Sequence, residues 1–431
     1  MTPVELLQQL IRFDTTNPPG NEADCIDYLR RLLEDAGCEV ELYAKDPERP
    51  NLVARLEGVG DRAPLLLQGH VDVVTTAAQD WTRPPFSGEL VDGWVWGRGA
   101  LDMKGGVAMM VSAFLRAATD GAELPGDVVL TVLADEEAGG DFGAKFLVEE
   151  HAHLFDDVQY SLGEFGGFTL EIAGRSIYPI QVAEKQICWL KATIPGRGGH
   201  GAVPQRGGTM ARLGKFLRDL DRKRTPIHVT PVARSMIEGM AAAVPRPNRD
   251  VLRALLQPRL TDRVLPLLGD RARPMEGLLR NTVNATIIRA GEKVNVVPST
   301  VEVELDTRAL PGFDPDDVLA EVQELVGDDI ELELVRFDPG PPAPRLDQFD
   351  ILAGILRELE PAAVPVPMLQ GGVTDARFFA QLGIQNYGFL PLRLPGDFRF
   401  TNLIHAADER VPADAIEFGA EAVYRALQRL A

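Results

Sequence analysis

The stretch Pro64-Leu65-Leu66-Leu67-Gln68-Gly69-His70-Val71-Asp72 decides the fold. Its apolar run is short, almost unbroken and closed by glycine, the pattern of a strand buried on both faces. A second such run covers residues 128–133, after a helical apolar stretch over 107–118. Residues 51–56 read as another strand. Residues 4–11 and 23–36 show helical spacing, and Gly37 stands where a helix end favours glycine. This alternation predicts an α/β class with a mainly parallel sheet covered by helices on both faces. In open sheets of that kind, ligands bind outside the carboxyl ends of the strands. His70, Asp102 and the pair Glu136-Glu137 all fall at strand ends or helix starts.

The pattern changes near Glu184. Residues 186–194 alternate like a half-exposed strand, followed by a glycine-rich turn and a helix over 209–220. Strands are expected at 284–289, 300–306 and 330–335, with a helix near 316–325. Such a set predicts a small α+β sandwich of ferredoxin-like type. Between its parts lies a polar, Pro/Arg-rich stretch, 223–280, whose helices are only loosely placed. Pro339, Pro341, Pro342 and Pro344 read as a hinge. Alternation of helix and strand then resumes through 350–359, 375–382, 384–390 and 413–430. The expected organisation is a catalytic domain in two parts, 1–184 and 341–431, interrupted by a lid and dimerisation domain over 185–340.

Composition narrows the partners. A chain of 431 residues, 45% hydrophobic and 25% charged, has core enough for two globular domains. A formal charge of −20 argues against nucleic acid and anionic membrane, both of which need a basic face. Three scattered cysteines indicate neither a disulfide framework nor a thiolate cluster. The first residues carry no secretory pattern, and no apolar run approaches membrane-spanning length, so the cytoplasm is the expected compartment.

The chemistry lies in the strand-end residues. An imidazole, a lone carboxylate able to bridge two cations and a carboxylate pair are what a hydrolytic two-metal centre needs. Each has a bland alternative: a strand-end histidine, a helix cap for Asp102, solvated charge for Glu136 and Glu137. Asp72 shifts the balance for His70, because a carboxylate two residues on can accept the second ring N–H. Adjacent glutamates in an irregular turn can point in different directions, one to metal and one to substrate. His151 and His153 at i,i+2 do not share a helix face, so they and His228 read as structural. His200, in a Gly-rich loop, reads equally well as a surface histidine.

Five motifs in order carry a resemblance across essentially the whole chain. They are Gly69-His70-Val71-Asp72, the run from Gly97 to Gly106 containing Ala100-Leu101-Asp102-Met103-Lys104, Asp135-Glu136-Glu137, Gly199-His200-Gly201-Ala202-Val203-Pro204 and Ile404-His405-Ala406-Ala407-Asp408-Glu409. The chain resembles the family of zinc-dependent peptidases and deacylases that contains aminoacylase, acetylornithine deacetylase, succinyl-diaminopimelate desuccinylase and glutamate carboxypeptidase. The resemblance implies two zinc ions per subunit, with cobalt or manganese as substitutes. His70 and Glu164 would hold one, Glu137 and His405 the other, and Asp102 would bridge them. Asp156 and Asp157 are weaker competitors for the place of Glu164. Glu136 would be the general base and Asp72 would orient His70. His200 would reach the active site of a partner subunit and stabilise the tetrahedral oxyanion.

Asn295 and Arg308 match the lid positions that grip a substrate carboxylate, although Arg308 can equally pair with Asp306. Gly371 and Thr374 match the glycine-rich wall of the substrate pocket, with a helix cap as the bland role for Thr374. The implied enzyme is a di-zinc hydrolase cleaving an amide next to a free carboxylate, in a small peptide or an N-acyl amino acid. It would work as a homodimer through the lid. A rival reading is a non-catalytic metal- or carboxylate-binding protein on the same scaffold. A non-ligating Glu136 beside a full ligand set argues against that rival. A phosphate-binding reading lacks the P-loop lysine spacing.

Overall fold

The computed structural model of the protein describes residues 1–340 and 343–430. Its large sheet runs, edge to edge, Glu39–Tyr43, Asn51–Leu56, Gly126–Leu133, Arg62–His70, Tyr160–Gly163, Gln385–Gly388, Arg175–Glu184 and Val364–Gln370. The four central strands, from Gly126–Leu133 to Gln385–Gly388, pair in parallel. At the margins direction reverses: Asn51–Leu56 and Arg175–Glu184 each lie antiparallel to the central block.

The strand over Arg62–His70 shows why the sheet is covered twice. Leu65 and Leu67 point into the larger core with Leu130 and Val132, while Leu66 points into a second core with Val129 and Leu133. The period of two thus feeds both faces, and each leucine so buried is worth about 1.5–3 kcal/mol. Helix Lys104–Asp120 backs the larger core and ends at Gly121, which takes the left-handed cap conformation at φ 61°. Its start is tight: a Cβ on Gly105 would fall 2.3 Å from the Ala100 carbonyl oxygen.

The smaller sheet has the order Thr282–Ala290, Thr300–Ala309, Gln186–Pro195, Glu331–Asp338, antiparallel throughout. With helices Thr209–Arg222 and Pro315–Val326 this is the expected ferredoxin-like βαββαβ arrangement. Pro315–Val326 begins with a capping box, Asp314 and Asp317 each accepting from the other's backbone N–H, and carries proline at its first position. Cys188, Leu190, Ala192 and Ile194 face these helices, whereas Trp189 on the alternate side is exposed.

The Pro/Arg-rich stretch folds as the α-helices Pro231–Ala243, Asn248–Ala254, Pro258–Val264 and Ala272–Gly277, with a 3₁₀ helix, Leu265–Arg271, before the last. The first packs Val232, Met236 and Met240 into the core of the large body, against Val364–Gln370. Lys185, where the chain leaves the large sheet, donates to the carbonyls of Gly277 (3.1 Å) and Arg280 (2.9 Å) and to Thr282 Oγ1 (2.8 Å). Of the hinge prolines, Pro341 and Pro342 lie outside the described residues. Among the described residues no helix is long and apolar enough to cross a membrane.

Candidate metal centre

Three parallel strands deliver their side chains to one place. His70 ends Arg62–His70, Glu164 follows Tyr160–Gly163, and the turn bearing Glu136 and Glu137 follows Gly126–Leu133. That turn is entered through Asp135 at φ 68°, a conformation costly for a residue with a Cβ. Its buried carboxylate is held from three sides: Asn17 donates at 3.0 Å, the Phe142 N–H at 3.0 Å, and Arg49 lies at 2.9 Å. The strained geometry aims the two glutamates.

Asp102 stands between two histidines. His70 Nε2 lies 3.3 Å from Asp102 Oδ1, and His405 Nε2 lies 3.3 Å from Oδ2. His405 Nε2 is also 3.2 Å from Glu137 Oε1, and His70 Nε2 is 3.6 Å from Glu164 Oε2. Glu136 Oε2 is farther from His70 Nε2, at 3.9 Å. Ligand atoms of His70, Glu136 and Glu164 converge within 4.8 Å, as do those of Asp102, Glu137 and His405. Helix Lys104–Asp120 starts without a side-chain cap, so Asp102 is not spent on capping.

Two orphaned atoms test whether cations fit. His70 Nε2 and Glu137 Oε1 are buried with no hydrogen-bond partner, a costly arrangement unless something else satisfies them. Burial opposes charge on His70, yet Asp102, Asp72 and Glu164 outweigh it and hold its pKa well above the usual value. The carboxylates of Asp102 and Glu137 beside it push His405 up to about 10. Burial, with Glu164 beside it, raises Glu136 well above the ordinary carboxylate range. This field is strongly negative and lined by nitrogen and oxygen donors, so the residues fit two divalent cations.

Asp72 does more than face an imidazole. His70 Nδ1 sits 3.0 Å from the Asp72 carbonyl oxygen and 3.3 Å from Oδ1. The same carboxylate accepts the backbone N–H of Glu136 (3.1 Å) and of Glu137 (3.0 Å), and Asn17 Nδ2 (2.8 Å).

The other named residues are dispersed. His200 is exposed on a two-residue strand paired with Val296–Val297, and Gly201 donates its N–H to the Asn295 carbonyl. His200 and Asn295 are therefore lid neighbours, and among the described residues neither is bonded to the metal-ligand cluster. Arg308 is forked on Asp306, at 2.6 and 3.2 Å. Thr374 is buried, its hydroxyl donating to Glu184 and accepting from the Ala376 N–H; Gly371 is exposed. Asp156 and Asp157 lie outside both ligand groups. His151 packs on Tyr43 and Phe146, and His228 pairs with Glu321, structural roles both.

Several supporting residues lie outside the sequence-based set. Glu409 accepts the N–H groups of Leu101 (2.7 Å) and Asp102 (3.2 Å) and pairs with buried Arg98 at 2.5 Å. Burial keeps it at about 7 despite Arg98. Both belong to quoted motifs, which was the available signal. Asp375 and Arg377 stand in the glycine-rich turn with Gly371 and Thr374, whereas Asn17 offered no signal, because its partners Asp72 and Asp135 are distant in sequence.

Fold and site together define a metal-dependent hydrolase of amide bonds. The chain belongs to the peptidase family M20/M25/M40, whose model matches residues 66–429. It is 29% identical to a succinyl-diaminopimelate desuccinylase of Paracoccus denitrificans, over 99% of this chain and 98% of that protein. An M20 family metallo-carboxypeptidase from Sulfolobus solfataricus has a similar fold, with TM-score 0.69 and 17% identity over 99% of this chain and 98% of that one. So does a Bacillus subtilis dinuclear metal-binding M20 peptidase, with TM-score 0.60 and 15% identity over 99% and 96%. Membership of a peptidase family favours the hydrolase over a non-catalytic binding protein.

Proposed function

We propose that the protein is a two-zinc hydrolase that cleaves an amide bond next to a free carboxylate, in a small peptide or an N-acyl amino acid. The observation that carries this reading is Asp102, equidistant at 3.3 Å from His70 and His405 through its two oxygens. His70 and Glu164 would hold one metal and Glu137 and His405 the other, with Asp102 shared. Zinc suits this thiolate-free set, and cobalt or manganese can substitute. When bound, the metals polarise the substrate carbonyl and acidify a water.

The remaining work falls to the chain. Glu136 takes a proton from the attacking water and returns it to the departing amine nitrogen as the C–N bond breaks. Asp72 orients His70 and fixes the backbone of both glutamates. Asn295 and Arg308 take the substrate carboxylate, Arg308 trading Asp306 for it. Gly371 and Thr374 belong to the opposite wall. The sandwich serves as a lid, and a second copy joined through it brings His200 to the oxyanion. The three cysteines are buried and free, which fits a reducing, cytoplasmic setting.

Zinc-loaded protein assayed on a panel of N-acyl amino acids and dipeptides tests the reading. Hydrolysis of members with a free carboxylate, and its loss on amidation of that group, is expected. No hydrolysis with two metals bound would overturn it.

A further inference from the structure

Arg377 is a buried arginine that no part of the reaction above uses. It stands at the junction of three segments. Its Nη1 donates to the Thr374 carbonyl at 2.7 Å, and its Nη2 donates to the Gly139 carbonyl at 3.1 Å. Gly139 caps the turn that carries Glu136 and Glu137. The guanidinium therefore braces that turn from a chain segment more than two hundred residues away. Its Cζ lies over the Phe378 ring, 4.3 Å from the ring centre, which limits its freedom to swing.

Its charge also acts on Glu184 and Asp375, and two further carboxylates lie within ion-pair range. Nη1 lies 3.9 Å from Glu136 Oε1, and Nε lies 3.6 Å from Asp338 Oδ2. Both are within ion-pair range, but neither is a hydrogen bond, and Nε is buried without a partner. A guanidinium has five donors in a rigid fork, so moving closer to one carboxylate draws it from the other. Asp338 is the last residue of Glu331–Asp338, the final strand of the small sheet, immediately before Pro339. It is itself gripped by Arg336, at 2.8 and 2.7 Å. Any shift of the small sheet against Arg377 thus moves an anion that it feels.

We propose that Arg377 is the positioning residue for Glu136, and that Asp338 shares its guanidinium so that lid movement changes how firmly Glu136 is held. This rests on the proton-transfer role given to Glu136. The competing explanation is that Arg377 grips the substrate carboxylate directly.

Steady-state kinetics on the zinc-loaded full chain separates them, with Arg377→Ala, Arg377→Lys, Asp338→Asn and the Arg377→Ala/Asp338→Asn double variant. Loss of positioning predicts that Arg377→Ala lowers kcat about 10- to 100-fold, with KM within about threefold and two zinc ions retained. Arg377→Lys recovers part of kcat, and Asp338→Asn adds nothing further in the Arg377→Ala background. A rise in KM with kcat unchanged, or additive effects of the two sites, would overturn the proposal. If Arg377→Ala does not fold, Arg377→Lys against wild type gives the same split. A crystal structure of zinc-loaded Arg377→Lys supplies a readout independent of activity. Displacement of the Glu136 carboxylate is expected, and an unmoved carboxylate overturns the proposal even if no substrate is ever found. Absence of hydrolysis by the wild-type protein counts against the proposed function instead.

Discussion

Asp72 accepts the backbone N–H of Glu137 at 3.0 Å while its own backbone carbonyl oxygen lies 3.0 Å from His70 Nδ1. One residue thus sets the orientation of an imidazole on one strand and of a carboxylate on the turn after the next. Its carboxylate also serves Glu136 and Asn17 and is buried, so truncation strands several donors at once.

Asp72→Ala is therefore expected to weaken zinc binding about 10- to 100-fold and to lower the unfolding temperature. Titration of chelator-stripped protein with zinc, followed calorimetrically, measures the first effect. Wild-type affinity in the folded variant would show that Asp72 orients nothing.

The shared position of Asp102 makes the two metal sites unequal in sensitivity. Asp102→Ala is expected to lose both zinc ions, while His405→Ala keeps the ion held by His70 and Glu164. Elemental analysis after dialysis gives the stoichiometry. Two full sites in Asp102→Ala would exclude a bridge.

Much of this centre is legible in the sequence because buried parallel strands write themselves as unbroken apolar runs, and the residues that end them mark the ligand side. His70, Glu136 and Glu137 follow from that alone. His405 and Glu164 do not, and only the resemblance placed them. Strand direction at the margins was not legible either, since Asn51–Leu56 reads the same whether it pairs parallel or antiparallel. The helices between Pro231 and Gly277 are short and broken by proline, so their periodicity never accumulates. Arg377 stands in the same glycine-rich turn as Thr374, but its contacts with Glu136, Gly139 and Asp338 are not legible there, because only the folded chain brings those residues near.

Glu184 makes a prediction about pH. Burial pushes its pKa up to about 8 against an ordinary value of 4.5, with Arg377, Thr374 and Gln181 only partly compensating. Between those values the folded chain keeps a proton that the unfolded chain has lost, so this group's stabilisation falls as pH rises and is gone above about 8. Glu184→Gln cannot ionise. Its unfolding temperature, relative to wild type, is expected to climb from pH 5 to 8 and then level. Parallel curves over that range would place the titration elsewhere.

The lid prediction concerns two copies. If His200 arrives from a partner subunit, His200→Ala cuts turnover about 10²–10³-fold without changing zinc content. Mixing it with Glu136→Gln creates heterodimers in which one site has both an intact Glu136 and an intact incoming His200, so activity returns in part. No recovery despite proven subunit exchange would assign His200 to its own chain or to no catalytic role.

In the proposed reaction Glu136 moves the proton while His70, Asp102, Glu137, Glu164 and His405 hold metal. Turnover and zinc content of Glu136→Gln, measured on the same preparation, test it most directly. Two zinc ions per chain and a rate lower by about 10²–10⁴ are expected. Near wild-type turnover with both metals bound, or loss of a metal along with activity, would contradict it.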